Sequence, residues 1–209
     1  MQTDITRVWL TYLLMAAHRT GLAPMSKKRL HRLVFLSNCL APLFEATPAS
    51  AQIVKYKRGP FYPVVQWELD RLATMGVLTV ANIVYFHDRD GWWQDADYSV
   101  GPRARAVIEY CSGIDYGRRL ETYLTEVTTA FASLPPKVLD GVALRDENYA
   151  QSGATTDTFI DFSTVEQNLS VQTARAFKNL MPGGLAPSRK EELFLYLRFL
   201  ESVSKEVAA

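Results

Sequence analysis

The chain has 209 residues, 48% of them hydrophobic and 22% charged, with a formal net charge of +1, a balance that fits one or two folded domains and argues against a disordered chain. Its longest apolar run, Val8 to Ala17, is interrupted by Thr11 and falls far short of the roughly 20 residues of a membrane span, so no membrane partner is expected. Cys39 and Cys111 form no disulfide or metal-binding spacing and the N-terminus lacks the regions of a secretory signal, which together predict a reducing cytoplasm.

A first helix is predicted from about Asp4 to Arg19, with Thr3 as its N-cap and Gly21 as its stop. Ile5, Val8, Trp9, Tyr12, Leu13 and Ala16 form one stripe, which Leu10, Leu14 and Ala17 widen, so this helix should be buried on several sides, against the core or a partner. Ser26 reads as the N-cap of a second helix running to about Glu45, which Pro42 should kink or shorten. The first turn of that helix is basic: Lys27, Lys28, Arg29 and Arg32. Cations there oppose the helix macrodipole at a cost of a few tenths to about 1 kcal/mol each. Two readings stay open. The four are ordinary solvated side chains, or they form a phosphate or non-specific DNA contact that uses the first-turn N–H groups and that Lys55, Lys57 and Arg58 extend.

Residues 53 to 101 carry the most information. Ile53 to Tyr56 is a short β-rich run, Gly59-Pro60 a turn, and Pro63 the first turn of a helix to about Met75. Val64, Trp67, Leu69, Leu72 and Met75 are read as its apolar face, with Gln66, Glu68, Asp70 and Arg71 in water and Gly76 as the stop. Val77 to Val80 and Ile83 to Phe86 are β-branched and aromatic, His87 to Gly91 is turn chemistry, and Trp92 to Val100 returns as a second strand. Gly101-Pro102 then opens a helix carrying Ala104, Val107, Ile108 and Cys111. A helix followed by a two-stranded ribbon is the signature of a winged helix.

Residues 114 to 134 form a further helix through Leu120, Tyr123, Leu124, Val127, Ala130, Phe131 and Leu134, stopped by Pro135-Pro136. Beyond it, Lys137 to Ala150 holds a short helix and Gln151 to Thr158 a polar loop. Ser163-Thr164-Val165-Glu166 has the capping-box pattern before a helix to about Leu180, which Pro182-Gly183-Gly184 ends. Ser188-Arg189-Lys190-Glu191 repeats that pattern. The last helix carries Leu193, Phe194, Leu197, Leu200, Val203 and Val207 on one side, with Leu195, Tyr196 and Phe199 left for a partner or for burial within the chain. The expected architecture is therefore mainly α with a small β-hairpin (α+β): a winged-helix-like module over residues 1–112, a linking helix over 113–134 and a helical C-terminal region over 135–209. Residues 1–119 hold 15 Lys or Arg against 10 Asp or Glu, and residues 120–209 hold 8 against 12, so a basic half precedes an acidic one.

Catalytic patterns fail on inspection. His18, His31 and His87 have no metal-like spacing with one another or with the cysteines, and the nucleophile-elbow, P-loop and dinucleotide motifs are missing from the sequence. Asp88, Asp90, Asp95 and Asp97 crowd the ribbon tip, where Asp serves turn chemistry and a mobile wing suits a metal poorly. No catalytic residue, metal or cofactor is expected.

RLHRLVFLSNCLAPLF followed by IVKYKRGPFYPVVQWELDRLATMGVL resembles the N-terminal module of the middle components of ABC-three-component systems, which include the small accessory subunit of Lamassu anti-phage defence complexes. A related pattern, a Leu-rich helix, a KYGP turn and a helix, occurs in Panacea or SocA-like antitoxin domains. Here the turn is Lys55-Tyr56-Lys57-Arg58-Gly59-Pro60, with two additional basic residues. The similarity covers about residues 4 to 110. The first resemblance implies a non-enzymatic subunit that docks on an SMC-like ATPase and holds an effector nuclease inactive until foreign DNA is sensed. Its partner-interface candidates are Trp9, Tyr12, Trp92, Trp93, Phe194, Tyr196 and Phe199. A toxin-neutralising antitoxin and a winged-helix DNA-binding regulator are the alternatives. The helix after Pro63 offers few bases to read guanine edges, which disfavours sequence-specific DNA recognition.

Overall fold

The computed structural model describes residues 2–50, 52–56, 59–89, 91–162, 164, 166–181 and 186–206. The first helix, α1 (Gln2–Arg19), starts earlier than expected, so the position read as its N-cap, Thr3, lies inside it. Its wide stripe is buried as predicted: Trp9, Leu10, Tyr12, Leu13 and Leu14 are all at most 2% exposed. Met25–Ser26 form a two-residue strand, β1. Ser26 then caps α2 (Lys27–Leu40), its Oγ accepting from the Arg29 backbone N–H at 3.3 Å. Pro42 shortens this helix, and the chain tightens into a 3-10 turn over Ala41–Phe44.

The β-rich run is β2 (Gln52–Tyr56), but Gly59-Pro60 do not form the expected turn; they open β3 (Gly59–Phe61), which pairs antiparallel with β2. Pro60 lacks a donor and is tolerated because β3 is an edge strand. In α3 (Pro63–Thr74) the buried residues are Val65, Glu68, Leu69 and Leu72, whereas Val64, Trp67 and Met75 are 48% to 65% exposed. The predicted apolar face is thus corrected by a rotation. The physical cause is Glu68, expected in water, whose buried carboxylate accepts from Arg7 of α1 at 2.5 Å and from Arg71; this ion pairing offsets its desolvation. Gly76, at φ 71°, ends the helix in the left-handed region.

Strands β4 (Leu78–Asp88) and β5 (Gly91–Val100) form the predicted hairpin, longer than expected at its tip and irregular between Ala81 and Val84, where Asn82 takes φ 50°. The two-stranded ribbon gains a third strand, because β1 pairs with β5 and gives the order β1-β5-β4. Helices α4 (Ala104–Ser112) and α5 (Asp115–Ala132) follow. Short helices α6 (Pro136–Leu139) and α7 (Glu147–Ala150) flank a 3-10 turn over Val142–Leu144. The stretch after the polar loop yields β6 (Phe159–Asp161), which pairs with β2 and completes a second antiparallel sheet, β3-β2-β6.

The next helix, α8 (Leu169–Ala176), begins later than its predicted capping box and is capped by Asn168, whose side chain accepts from Val171 N–H at 3.1 Å. Ser163, Val165 and the predicted Pro182-Gly183-Gly184 stop lie outside the described residues, as do Asp90 and Val207. The second capping box forms at α9 (Arg189–Glu206), with Glu191 N–H donating to Ser188 Oγ and Ser188 N–H to Glu191 Oε2 at 2.7 Å. The architecture is mixed, mainly helical, with two small antiparallel sheets. One hydrophobic core runs from Trp9 to Leu200. Among the described residues no helix is long and apolar enough to cross a membrane.

Candidate functional site

The N-terminal end of α2, the β2–β3 edge and the β4–β5 hairpin enclose a cavity of about 660 Å³. One wall is the helix, where Lys28, His31 and Arg32 fall at i, i+3 and i+4 and so share a face, with Lys27 one turn before His31. The strands contribute an aromatic lining, Tyr56 and Phe61 from the small sheet and Phe86 and Trp93 from the hairpin. Phe86 and Trp93 are cross-strand partners. Trp93 stacks on Tyr56 at 5.7 Å and 16°, and Phe61 lies 4.8 Å from the His31 ring.

Lys27 and Arg32 are held by specific contacts or by burial. The Lys27 backbone N–H donates to Asp95 Oδ1 at 3.1 Å, and its ammonium sits 5.7 Å from the Trp93 centroid. Burial pulls the Lys27 amine below its ordinary value, against the attraction of Asp95 and Asp70. Arg32 is 3% exposed, and burial likewise lowers its guanidinium, opposed by Asp140. The Tyr62 N–H donates to His31 Nδ1 at 3.4 Å, which leaves Nε2–H to donate to Gln66 Oε1 at 3.2 Å. Burial pushes the His31 imidazole down to about 4, so it lines the cavity as a neutral ring.

The predicted basic patch is divided. Lys27, Lys28 and Arg32 meet in the cavity. Arg29 instead turns to α6, its Nε donating to Asp140 Oδ1 at 2.8 Å, which holds that carboxyl below its usual range. Lys55 points away, donating to Ser152 O and Oγ at 3.2 and 3.0 Å, with its ammonium 5.4 Å from the Tyr149 ring. Lys57 and Arg58 lie outside the described residues. The first-turn N–H groups that a phosphate was expected to meet are partly taken, Lys27 by Asp95 and Arg29 by Ser26. Tyr56, Phe61 and Phe86 were missed as site residues, though a Gly-Pro pair flanked by aromatics was a usable signal for the first two. Tyr149 and Leu144 complete the rim from a segment that carried no signal.

The partner-interface candidates divide as well. Trp9, Tyr12 and Tyr196 are core residues, at most 2% exposed, and this corrects their assignment to a surface: α1 and α9 bury their excess apolar area within the chain. Phe194 and Phe199 pack partly buried against the same core. Trp93 faces the cavity. Trp92 alone of the seven stands in solvent, at 79% exposure. Alternation along the hairpin puts it with Tyr85 and Ile83 on the outer face, opposite the cavity, and these two are 70% and 50% exposed. His87 meets Trp92 edge-on at 5.2 Å, and Gln94 Nε2 donates to Tyr85 Oη at 3.3 Å.

Compared with family models, with curated proteins and with solved structures, the chain matches none of them.

Proposed function

We propose that this chain is a non-catalytic accessory subunit that docks, through a winged-helix module, on an SMC-type ATPase of an anti-phage defence complex and so controls an effector nuclease. The chain runs α1, β1, α2, the β2–β3 pair, α3 and the β4–β5 hairpin, with β1 beside β5; apart from the inserted β2–β3 pair this is the order of a winged helix, which supports that reading. The observation that carries the docking role is the outer face of that hairpin, where Ile83, Tyr85 and Trp92 stand half to four-fifths exposed. Three large apolar side chains in one strip are costly in water and are the residue types from which protein interfaces are built. A wing that touched DNA would carry cations there. Of the described basic candidates only Lys28 is exposed, so non-specific DNA contact is the lesser part of this reading.

The test is purification of the tagged chain expressed with its native genomic neighbours, with the stoichiometry of what co-elutes. A large coiled-coil ATPase is expected, and the double variant Tyr85→Asp, Trp92→Asp should lose it while keeping its fold, since both side chains are in solvent. Retention of the ATPase by that variant removes the hairpin from the interface. Recovery of one small toxin instead makes the chain a Panacea-type antitoxin, and a partner-free dimer that shifts a defined DNA fragment makes it a regulator.

A further inference from the structure

We propose that the cavity between α2, the β2–β3 edge and the inner face of the β4–β5 hairpin is a binding pocket for a nucleoside phosphate. The proposal does not rest on the docking role, which uses the opposite face of the hairpin. A volume of about 660 Å³ is within the range of small-molecule sites and admits a mononucleotide. Charge selects the sign of the ligand: Lys27, Lys28 and Arg32 line the cavity, against Asp95 as the one carboxylate among the lining residues. All three cations come from the first two turns of a 14-residue helix, so their attraction for an anion converges on one side of the cavity.

The distribution of chemistry is what distinguishes a nucleotide from a bare anion. The cations occupy the helical wall, and Tyr56, Phe61, Phe86 and Trp93 occupy the strand wall. Inorganic phosphate would use only the first wall and leave the aromatic one wet. A nucleoside would use only the second and make no use of the cations. A molecule that joins a phosphate to a flat, largely apolar ring satisfies both, because an aromatic wall favours a heterocycle through burial and ring contacts. The aromatic wall is also firmly held, since Tyr56 and Trp93 already stack on each other and Phe61 packs on the neutral His31. Little ordering is left for the ligand to impose.

Titration calorimetry of the full chain with AMP, ATP, adenosine and inorganic phosphate tests this. AMP or ATP should saturate one site per chain, with adenosine and phosphate each weaker by at least about tenfold. Lys28→Glu, at an exposed position on the rim, should weaken AMP by about tenfold or more without disturbing the fold. Trp93→Ala should weaken AMP and adenosine alike, and Arg105→Glu, exposed on α4, should change neither. No saturation by AMP or ATP overturns the proposal, as does phosphate binding as tightly as AMP. Wild-type affinity in both Lys28→Glu and Trp93→Ala also overturns it. So does binding of a short single-stranded oligonucleotide when no mononucleotide binds.

Discussion

Two buried titratable groups work against each other in this protein. Asp146, fully buried, accepts from Ser170 Oγ and Tyr196 Oη at 2.8 Å and from the Asn148 N–H at 3.0 Å. Desolvation outweighs these donors and pushes its carboxyl up to about 6, from 3.8. The folded state therefore binds a proton that the unfolded state has lost, and the stability this contributes is present below pH 4 and lost as pH rises through about 6. His31 runs the other way. Its imidazole falls to about 4 from 6.5, so folding excludes a proton, and the contribution is present above pH 6.5 and lost as pH falls toward 4. Each shift is about two units or slightly more, roughly 3 kcal/mol apiece, so the two slopes nearly cancel. Urea unfolding between about pH 4.5 and 6.5 should thus give a nearly flat stability for the native chain, within about 1 kcal/mol. Asp146→Asn, which keeps an acceptor for Ser170 and Tyr196, should become more stable as pH rises. His31→Gln should become less stable over the same window. Slopes of the same sign in the two variants would refute the opposition.

At the scale of elements, the closest approach is between α5 and the end of α4. A Cβ built on Gly117 would lie 2.1 Å from the Cys111 carbonyl oxygen and 3.2 Å from Tyr12 Oη. Helix propensity alone favours Ala over Gly by about 1 kcal/mol. Overpacking against backbone, which cannot swing aside, costs about 3 kcal/mol and decides the sign. The net cost of about 2 kcal/mol means that Gly117→Ala should lower the melting temperature by about 6 °C in a calorimetric scan, whereas Gly113→Ala, whose Cβ meets only the Tyr110 carbonyl at 3.4 Å, should cost under about 1 kcal/mol. Elements whose burial follows a continuous apolar stripe were legible in advance: α1, α4 and α5 appear close to where periodicity puts them, and the hairpin appears where its β-branched and aromatic runs put it. In α3 the same reasoning chose the wrong face. Trp67 and Val64 are apolar but exposed, and Glu68 is charged but buried with Arg7, a tertiary ion pair that no pattern within α3 reveals. β1 has two residues and β6 three, too few for alternation to register.

The whole molecule explains why only half of the candidate site could be read. The cations of the cavity are neighbours on one helix and visible as a cluster, but the aromatic wall is assembled by tertiary contact from two sheets. The C-terminal half takes part in that assembly. Strand β6 pairs with β2, the Asn168 side chain donates to the Cys39 carbonyl at 2.8 Å, and Tyr149 Oη donates to the Tyr56 carbonyl at 3.2 Å. Phe35 of α2 sits between Tyr149 and Phe162, with ring centroids 5.8 and 6.0 Å away. Cutting the chain after Leu134 would leave Phe35 uncovered, one edge of β2 unpaired and the Cys39 carbonyl without its buried donor, losses of about 1 kcal/mol or more for each hydrogen bond and about 3 kcal/mol for an uncovered large side chain. Their sum is comparable with the whole stability of a domain, about 5–15 kcal/mol. The full chain is thus expected to unfold in a single transition, with near- and far-ultraviolet circular dichroism coinciding, and residues 1–134 expressed alone should show no cooperative melt. Two separated transitions in the full chain, or a cooperative melt of the 1–134 fragment, would establish instead that residues 1–134 fold by themselves and that the C-terminal region is an independent unit docked on them.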